Sequence, residues 1–201
     1  MRAVPGSLPE PLERLAAWIE AAGEEVGAVE AYSMALATAT AAGEPSLRFV
    51  LLRGLDERGL VFFSDYASQK GRELADNPRG AAAFSWPQLG RQVRASGPVT
   101  RVSREESACY FAKRPRGHRL AAWSSRQSEP VATREALAER FCGVEQRFAG
   151  RDDVPLPPYW GGYRLDPTQV EFWESGENRM HDRVRFTRSW SSGWRSELVQ
   201  P

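Results

Sequence analysis

SMALATATAAGEPSLRFVLLRGLDERGLVFFS, residues 33–64, decides the fold class. Ser33 to Thr40 is built from small and β-favouring residues, and Gly43-Glu-Pro45 follows as a turn, so the segment reads as a strand entering a hairpin. Leu47 to Arg53 forms the second strand, Asp56-Glu-Arg-Gly59 the next turn, and Leu60 to Ser64 the third strand. A three-stranded meander results.

Toward the C-terminus, Gln69 to Ala75 reads as a short helix stopped by Asn77-Pro78, and strands at Ala81 to Trp86, Arg91 to Ala95 and Val99 to Val102 continue the sheet. Five or six short antiparallel strands at this spacing predict a barrel rather than a parallel sheet. Ser103-Arg-Glu-Glu106 matches a capping box and starts a helix through Cys109, Tyr110 and Phe111. A second helix follows Thr133, with Leu137, Phe141, Val144 and Phe148 on one face. Val154-Pro-Leu-Pro-Pro158 is a loop, and Tyr163 to Leu165, Val170 to Trp173 and Val184 to Thr187 are closing strands. On the N-terminal side, Leu12, Leu15 and Ile19 mark an amphipathic helix reaching about Ala22, with Gly23 and Gly27 at its end. Residues 1–7 are expected to be loose, and 8–27 to form the helix and its connection. No repeat or linker interrupts the chain. The expectation is a single domain over 1–201, mainly β with peripheral α-helices.

A chain of 201 residues with 41% hydrophobic content and seven Trp can bury a real core. Its formal charge of +1 supplies no field for nucleic acid or an anionic membrane, so any anion site is local. No run approaches a membrane span and the N-terminus has no apolar leader, which makes the cytoplasm the expected location. Cys109 and Cys142 lack ligand or redox spacing and read as reduced, structural cysteines inside helices. G-x-G-x-x-G, the P-loop, H-E-x-x-H, C-x-x-C and G-x-S-x-G are all absent. Neither a dinucleotide fold, a metal centre nor a serine hydrolase is indicated.

Three segments carry candidate chemistry. Arg48-Phe-Val-Leu-Leu-Arg53 sends its two arginines to opposite strand faces, so one or both should meet an anion, unless both snorkel to water. Ser68-Gln-Lys-Gly-Arg72 opens a helix directly after a strand, where free N–H groups and a cation can seat phosphate. Tyr110-Phe-Ala-Lys-Arg114-Pro-Arg-Gly-His118 places a phenol, guanidinium groups and an imidazole along a helix end and its following loop. A solvated basic helix end explains it as well. In Trp173-Glu-Ser-Gly-Glu-Asn-Arg179-Met-His181-Asp-Arg183, alternation on an extended segment would project Arg179, His181 and Arg183 to one face beside an aromatic plane. The alternative is a surface strand paired with Glu177 and Asp182.

Together with Arg91-Gln92-Val93, Ala122-Trp-Ser-Ser-Arg-Gln127-Ser128 and Pro157-Pro-Tyr-Trp-Gly-Gly162, these segments resemble the pyridoxamine 5'-phosphate oxidase family of FMN-binding split barrels over almost the whole chain. The resemblance implies a homodimer with two FMN molecules at the subunit interface. It implies FMN contacts from Arg48, Phe49, Val50, Leu51, Leu52, Arg53, Phe63, Ser64, Gln69, Lys70, Gln92, Gln127, Ser128, Trp173 and Arg183. Arg53, Tyr110, Arg114 and His118 would hold the substrate phosphate, while Arg179 and His181 would sit over the pyridine ring as the catalytic pair. The implied reaction moves a hydride from C4' of pyridoxamine or pyridoxine 5'-phosphate to flavin N5. Dioxygen then takes the electrons, releasing hydrogen peroxide and pyridoxal 5'-phosphate. The chain departs from the family pattern at Arg53, commonly lysine, at His118, usually a small residue such as serine, and in a short segment before the first helix. An open site of this kind also admits a related flavin oxidase of another ring, such as a phenazine-type intermediate, or a non-catalytic FMN or pyridoxal phosphate carrier.

Overall fold

The computed structural model describes residues 8–189 and 191–201; the expectation for residues 1–7 lies outside them. Helix α1 (Glu10–Val26) buries Leu12, Leu15, Trp18, Ile19 and Ala22 and ends at Gly27, whose φ of 85° favours glycine. It runs a turn beyond the expected end, because Gly23 is tolerated in a helix whose inner face is already packed. A four-residue turn, α2 (Ala28–Ala31), leads into β1 (Ser33–Ala39) and β2 (Pro45–Leu51), paired antiparallel from Ser33–Leu51 to Ala39–Pro45.

A three-residue strand that alternation did not reveal, β3 (Gly54–Asp56), turns into β4 (Gly59–Asp65). The Asp56 carboxylate accepts the Arg58 backbone N–H at 2.9 Å, and a Cβ on Gly59 would collide with the Leu165 carbonyl. Ser68 caps α3 (Gln69–Asp76), and β5 (Arg79–Trp86) follows. The two strands expected at 91–95 and 99–102 are one, β6 (Arg91–Arg101). Gly97-Pro98 does not break it but marks a change of partner: residues 91–96 pair with β8, residues 99–101 with β7. Proline lacks the N–H for a continuous ladder, and at Gly97 the Asp166 carbonyl leaves no room for a side chain.

Ser103 and Thr133 cap α4 (Arg104–Ala112) and α6 (Arg134–Arg147) as expected. The reciprocal half of the capping box is missing, because Glu106 turns to Arg164 instead (3.1 Å). Between them lies α5 (Arg116–Ser124), which the sequence reading assigned to loop. Phe141, Val144 and Phe148 pack with Leu120, Val154 and Trp123 in a satellite cluster. Leu137 stays exposed. Cys109 and Cys142 are both exposed free thiols; their helices turn other faces inward, which corrects the structural role expected of them. Strands β7 (Trp160–Leu165), β8 (Gln169–Glu174), β9 (Asp182–Ser189) and β10 (Gly193–Leu198) complete the sheet.

The ten strands of the described residues pair antiparallel in the order β10-β9-β8-β6-β5-β1-β2, with β7, β4 and β3 branching from β6. The result is a curled, open barrel. Leu36, Leu60, Phe62, Phe84, Val93 and Phe172 fill it, and α1 closes one side. Residues on the faces not turned to this core are free to form a site. Among the described residues no helix is long and apolar enough to cross a membrane.

Candidate active site

An open cleft of about 780 Å³ lies between the β2 face, β4 and helices α3 to α5. Residues 48–51 and Arg53 reach it from β2 and its exit, Phe63 and Ser64 from β4, Gln69 and Lys70 from α3, and Gln127 and Ser128 from the loop after α5. Tyr110, Arg114 and His118 complete the wall. Most residues expected at FMN and the substrate phosphate, distant in sequence, therefore share one cavity. Leu52 does not: it is buried, and its backbone N–H donates to Tyr32 O at 2.8 Å.

The charge of the cleft is one-sided. Arg48, Arg53, Lys70, Lys113 and Arg114 line it with His118, and among the described residues no carboxylate does. Arg48 is spoken for, because its guanidinium bonds Thr38, Ser46 and the Leu36 carbonyl and pairs with Glu73 at 3.3 Å. The anion expected for it thus lies inside the protein. Burial opposes ionisation of Glu73, but hydrogen bonds from Ser46, Thr38 and Gln69 and the charge of Arg48 outweigh it and bring the carboxyl down to about 2. Lys70 differs. It is 6% exposed, and its amine donates only to neutral oxygens: Ser64 Oγ (3.1 Å), Ser68 Oγ (3.4 Å) and Gln127 Oε1 (3.0 Å). Desolvation, with the charge of Arg48, pulls it down to about 8.

Aromatic rings form the opposite wall. Phe63 and Tyr110 stack 3.8 Å apart, Trp160 lies parallel to both, and Arg114 sits 4.6 Å over the indole. Arg114 Nη1 is buried and has no hydrogen-bond partner among the described residues, and burial, with the nearby Arg53 charge, lowers its pKa. A buried guanidinium N–H without an acceptor is costly unless a ligand supplies one. His118 belongs to the first turn of α5, not to a loop, because Pro115 restarts the helix after α4 ends. Lys113 and Trp160 line the cleft without having been singled out. Pro157-Pro-Tyr-Trp-Gly-Gly162 was the available signal, since Gly161 and Gly162 let Tyr66 and Phe63 approach the strand closely.

A second group lies elsewhere on the sheet. Register places Gln92, Trp173 and Arg183 in one cross-strand row over β6, β8 and β9, with Arg94, Glu171 and Arg185 in the row two residues along. A small pocket of about 190 Å³ opens on Gln92, Trp173, Arg183 and Pro201. Arg179 and His181 do not alternate with Arg183 on a strand. Glu177–Arg179 is a 3-10 turn, Asn178 and Arg179 have φ of 52° and 64°, and β9 begins only at Asp182. The projected three-residue face is corrected accordingly. His181 still stands by the row: its ring lies 4.5 Å from Trp173, and its Nδ1 accepts the Gly176 N–H at 3.2 Å. That bond leaves Nε2 to carry the proton and donate. The pocket on this row and the cleft share no lining residue among the described residues.

An open antiparallel barrel carrying a cationic, aromatic-walled cleft defines the class of fold and site. Residues 20–147 match the family model described as pyridoxamine 5'-phosphate oxidase, and residues 160–201 match its C-terminal dimerisation region. The chain is 50% identical over 196 residues, 98% of its length and 89% of the relative's, to the pyridoxine/pyridoxamine 5'-phosphate oxidase of Rubrobacter xylanophilus. It is 48% identical to the protein of that name from Mycolicibacterium smegmatis, covering 94% of this chain and 80% of the relative. The crystal structure of PhzG from Burkholderia lata, in complex with tetrahydrophenazine-1-carboxylic acid, superimposes with a TM-score of 0.87 at 31% identity, covering 98% of this chain and 94% of that one. The chain belongs to the pyridoxamine 5'-phosphate oxidase family and is an enzyme of this oxidoreductase family.

Proposed function

We propose that this protein is an FMN-dependent oxidase that converts pyridoxamine or pyridoxine 5'-phosphate to pyridoxal 5'-phosphate. Dioxygen accepts the two electrons and leaves as hydrogen peroxide; with the amine substrate, water replaces ammonia. The observation that carries the reading is the unpartnered Arg114 Nη1 in a cleft lined by cations and no carboxylate. FMN fits the remaining groups, since Lys70 is a buried amine without a carboxylate hydrogen-bond partner, beside the capped N-terminus of α3. When bound, FMN supplies the hydride acceptor.

The chain's own residues divide the rest. Lys70, Ser64, Gln69, Gln127 and Ser128 hold the FMN phosphate end, and residues 48–51, Arg53 and Phe63 line the space beside it. Arg53, Tyr110, Arg114 and His118 take the substrate phosphate. Arg179 and His181 cover the pyridine ring, with His181 donating from Nε2 to its oxygen. Gln92, Trp173 and Arg183 meet the flavin from the other side. The cleft and the row open into separate pockets, and Trp173 and Arg183 of the row lie within the segment matched as a dimerisation region, which supports a homodimer that brings one copy's row to the other's cleft.

A second reading has its own observation. The cleft continues past Arg53 and Tyr110 into an annex of about 340 Å³ lined by Ala28, Val29, Tyr32 and Leu51, room for a larger ring such as the one PhzG binds. Anaerobic mixing with pyridoxamine phosphate, pyridoxine phosphate and dihydrophenazines separates the two. Fast flavin bleaching by the B6 phosphates supports the first reading, bleaching by dihydrophenazines alone the second, and none at all a carrier.

A further inference from the structure

The row that carries Gln92, Trp173 and Arg183 rests on a side chain with no assigned role. Glu171 is 4% exposed and lies one row along on the same face of β8. Its Oε1 accepts Arg94 Nη2 at 2.6 Å and Arg183 Nε and Nη2 at 3.0 and 2.7 Å, and its Oε2 accepts Arg185 Nε at 3.4 Å. One carboxylate thus faces three guanidinium groups. Arg183 is held at both edges, because its Nη1 donates to the Gln200 carbonyl at 2.7 Å. Arg185 has a second acid, Glu197 at 3.5 Å on the exposed side, whereas Arg94 and Arg183 have only Glu171 among the ion pairs of the described residues. Burial disfavours the charge of Glu171, yet hydrogen bonds from Arg183 and Arg94 lower its pKa, so the carboxylate is ionised at neutral pH.

We propose that Glu171 is a positioning residue for the flavin ring: it fixes the Arg183 guanidinium beside Trp173 and offsets the positive charge of this corner of the sheet. The inference rests on the FMN reading above. Two N–H groups of Arg183 converge on the one oxygen Oε1, which sets the guanidinium plane as a single N–H contact cannot, and an oriented supporting shell keeps a ligand contact from loosening. The offset charge has a redox consequence. The oxidised ring is neutral and the reduced ring gains electron density, so removal of one negative charge favours the reduced form.

Glu171→Gln keeps shape and one acceptor while removing the charge. Its affinity for oxidised FMN, read by quenching of flavin fluorescence, is expected to fall about tenfold, the size of losing one charge-assisted hydrogen bond. With affinity for the reduced form unchanged, the two-electron midpoint potential rises by about 30 mV. In an Arg183→Gln background, E171Q should weaken FMN binding no further, and Glu197→Gln should leave affinity and potential as in the wild type. Wild-type affinity and potential in E171Q, or equal losses with and without Arg183, would overturn the proposal. Should E171Q fail to fold by circular dichroism, Glu171→Asp keeps the charge one methylene short. It is then expected to weaken FMN binding only while Arg183 is present, and equal loss in both backgrounds counts against the role. Failure of the wild-type protein to take up FMN refutes the FMN reading and this inference together, whereas normal uptake with an unaffected variant refutes the inference alone.

Discussion

Among the described residues, Lys70 and Arg114 form no ion pair with a carboxylate, although Asp65 and Glu73 act on Lys70 at longer range. The Lys70 amine titrates at about 8 in the fold against 10.5 for an unperturbed lysine, so between those values the unfolded chain binds its proton more tightly. From this group, the stability of the FMN-free protein rises as pH climbs from about 8 to 10.5. Affinity for the FMN phosphate runs the other way, falling as the amine loses its charge above about 8. Thermal melts and fluorescence titrations across that window should show opposed trends, both abolished by Lys70→Met; affinity that stays flat would contradict the assignment. Arg114→Met removes a buried, unpartnered donor, so the free protein should gain on the order of 1 kcal/mol. The same change should raise KM for a phosphorylated substrate at least tenfold, and a loss of stability with unchanged KM would argue against it. These residues were legible in the sequence as types: Tyr110, Arg114 and Lys70 stand in segments rich in phosphate chemistry. That Arg48 is committed to Glu73 was not legible, since the partner lies 25 residues away and meets it only through the β1–β2 pairing and the packing of α3.

Elements built on alternation or caps were legible, and those that depend on a distant neighbour were not. The β1–β2 hairpin, the Ser103 and Thr133 caps and the proline loop at 154–158 have local causes and are present, whereas the third strand of the expected meander, β4, pairs with β3 and β7 and not with β2. Helix α5 was hidden because Arg116-Gly-His looks like a loop, yet Pro115 starts it and Leu120 packs against Phe148. Strand β10 was missed because nearly every side chain on it is exposed; its pairing with β9 gives no hydrophobic period. The turn between β8 and β9 carries the sharpest element-scale prediction. A Cβ at Gly176 would collide with the Met180 carbonyl, and the Gly176 N–H fixes His181. Gly176→Ala should therefore lower kcat by an order of magnitude or more while FMN affinity stays within about twofold, since a misplacement near 1 Å costs up to about 10²-fold. Parallel loss of FMN would mean that the turn serves the cofactor instead. Asn178→Gly, which relieves a left-handed φ of 52°, should be neutral or mildly stabilising in a thermal melt.

At the scale of the molecule, the two groups of site residues lie apart on the sheet, with β6, β5 and β1 between β8 and β2, a separation of about 19 Å at ordinary strand spacing. The edge strand β2 meanwhile exposes Leu47 (66%) and Phe49 (75%), apolar side chains that a second copy would cover. Phe49→Glu should shift the protein toward monomer in sedimentation and weaken FMN binding in proportion; a monomer that keeps full FMN affinity would mean that one chain holds the whole site. The proposed two-chain site comes from the resemblance; no periodicity in one chain can reveal it, because complementarity between copies is a property of surfaces. One measurement tests the FMN oxidase most directly: purified protein loaded with FMN, mixed with pyridoxamine 5'-phosphate in air, with pyridoxal 5'-phosphate and peroxide followed together. The prediction is equimolar formation of both, suppressed at least tenfold by Arg114→Met. Turnover no faster than free FMN, in a protein that has bound its flavin, would contradict it.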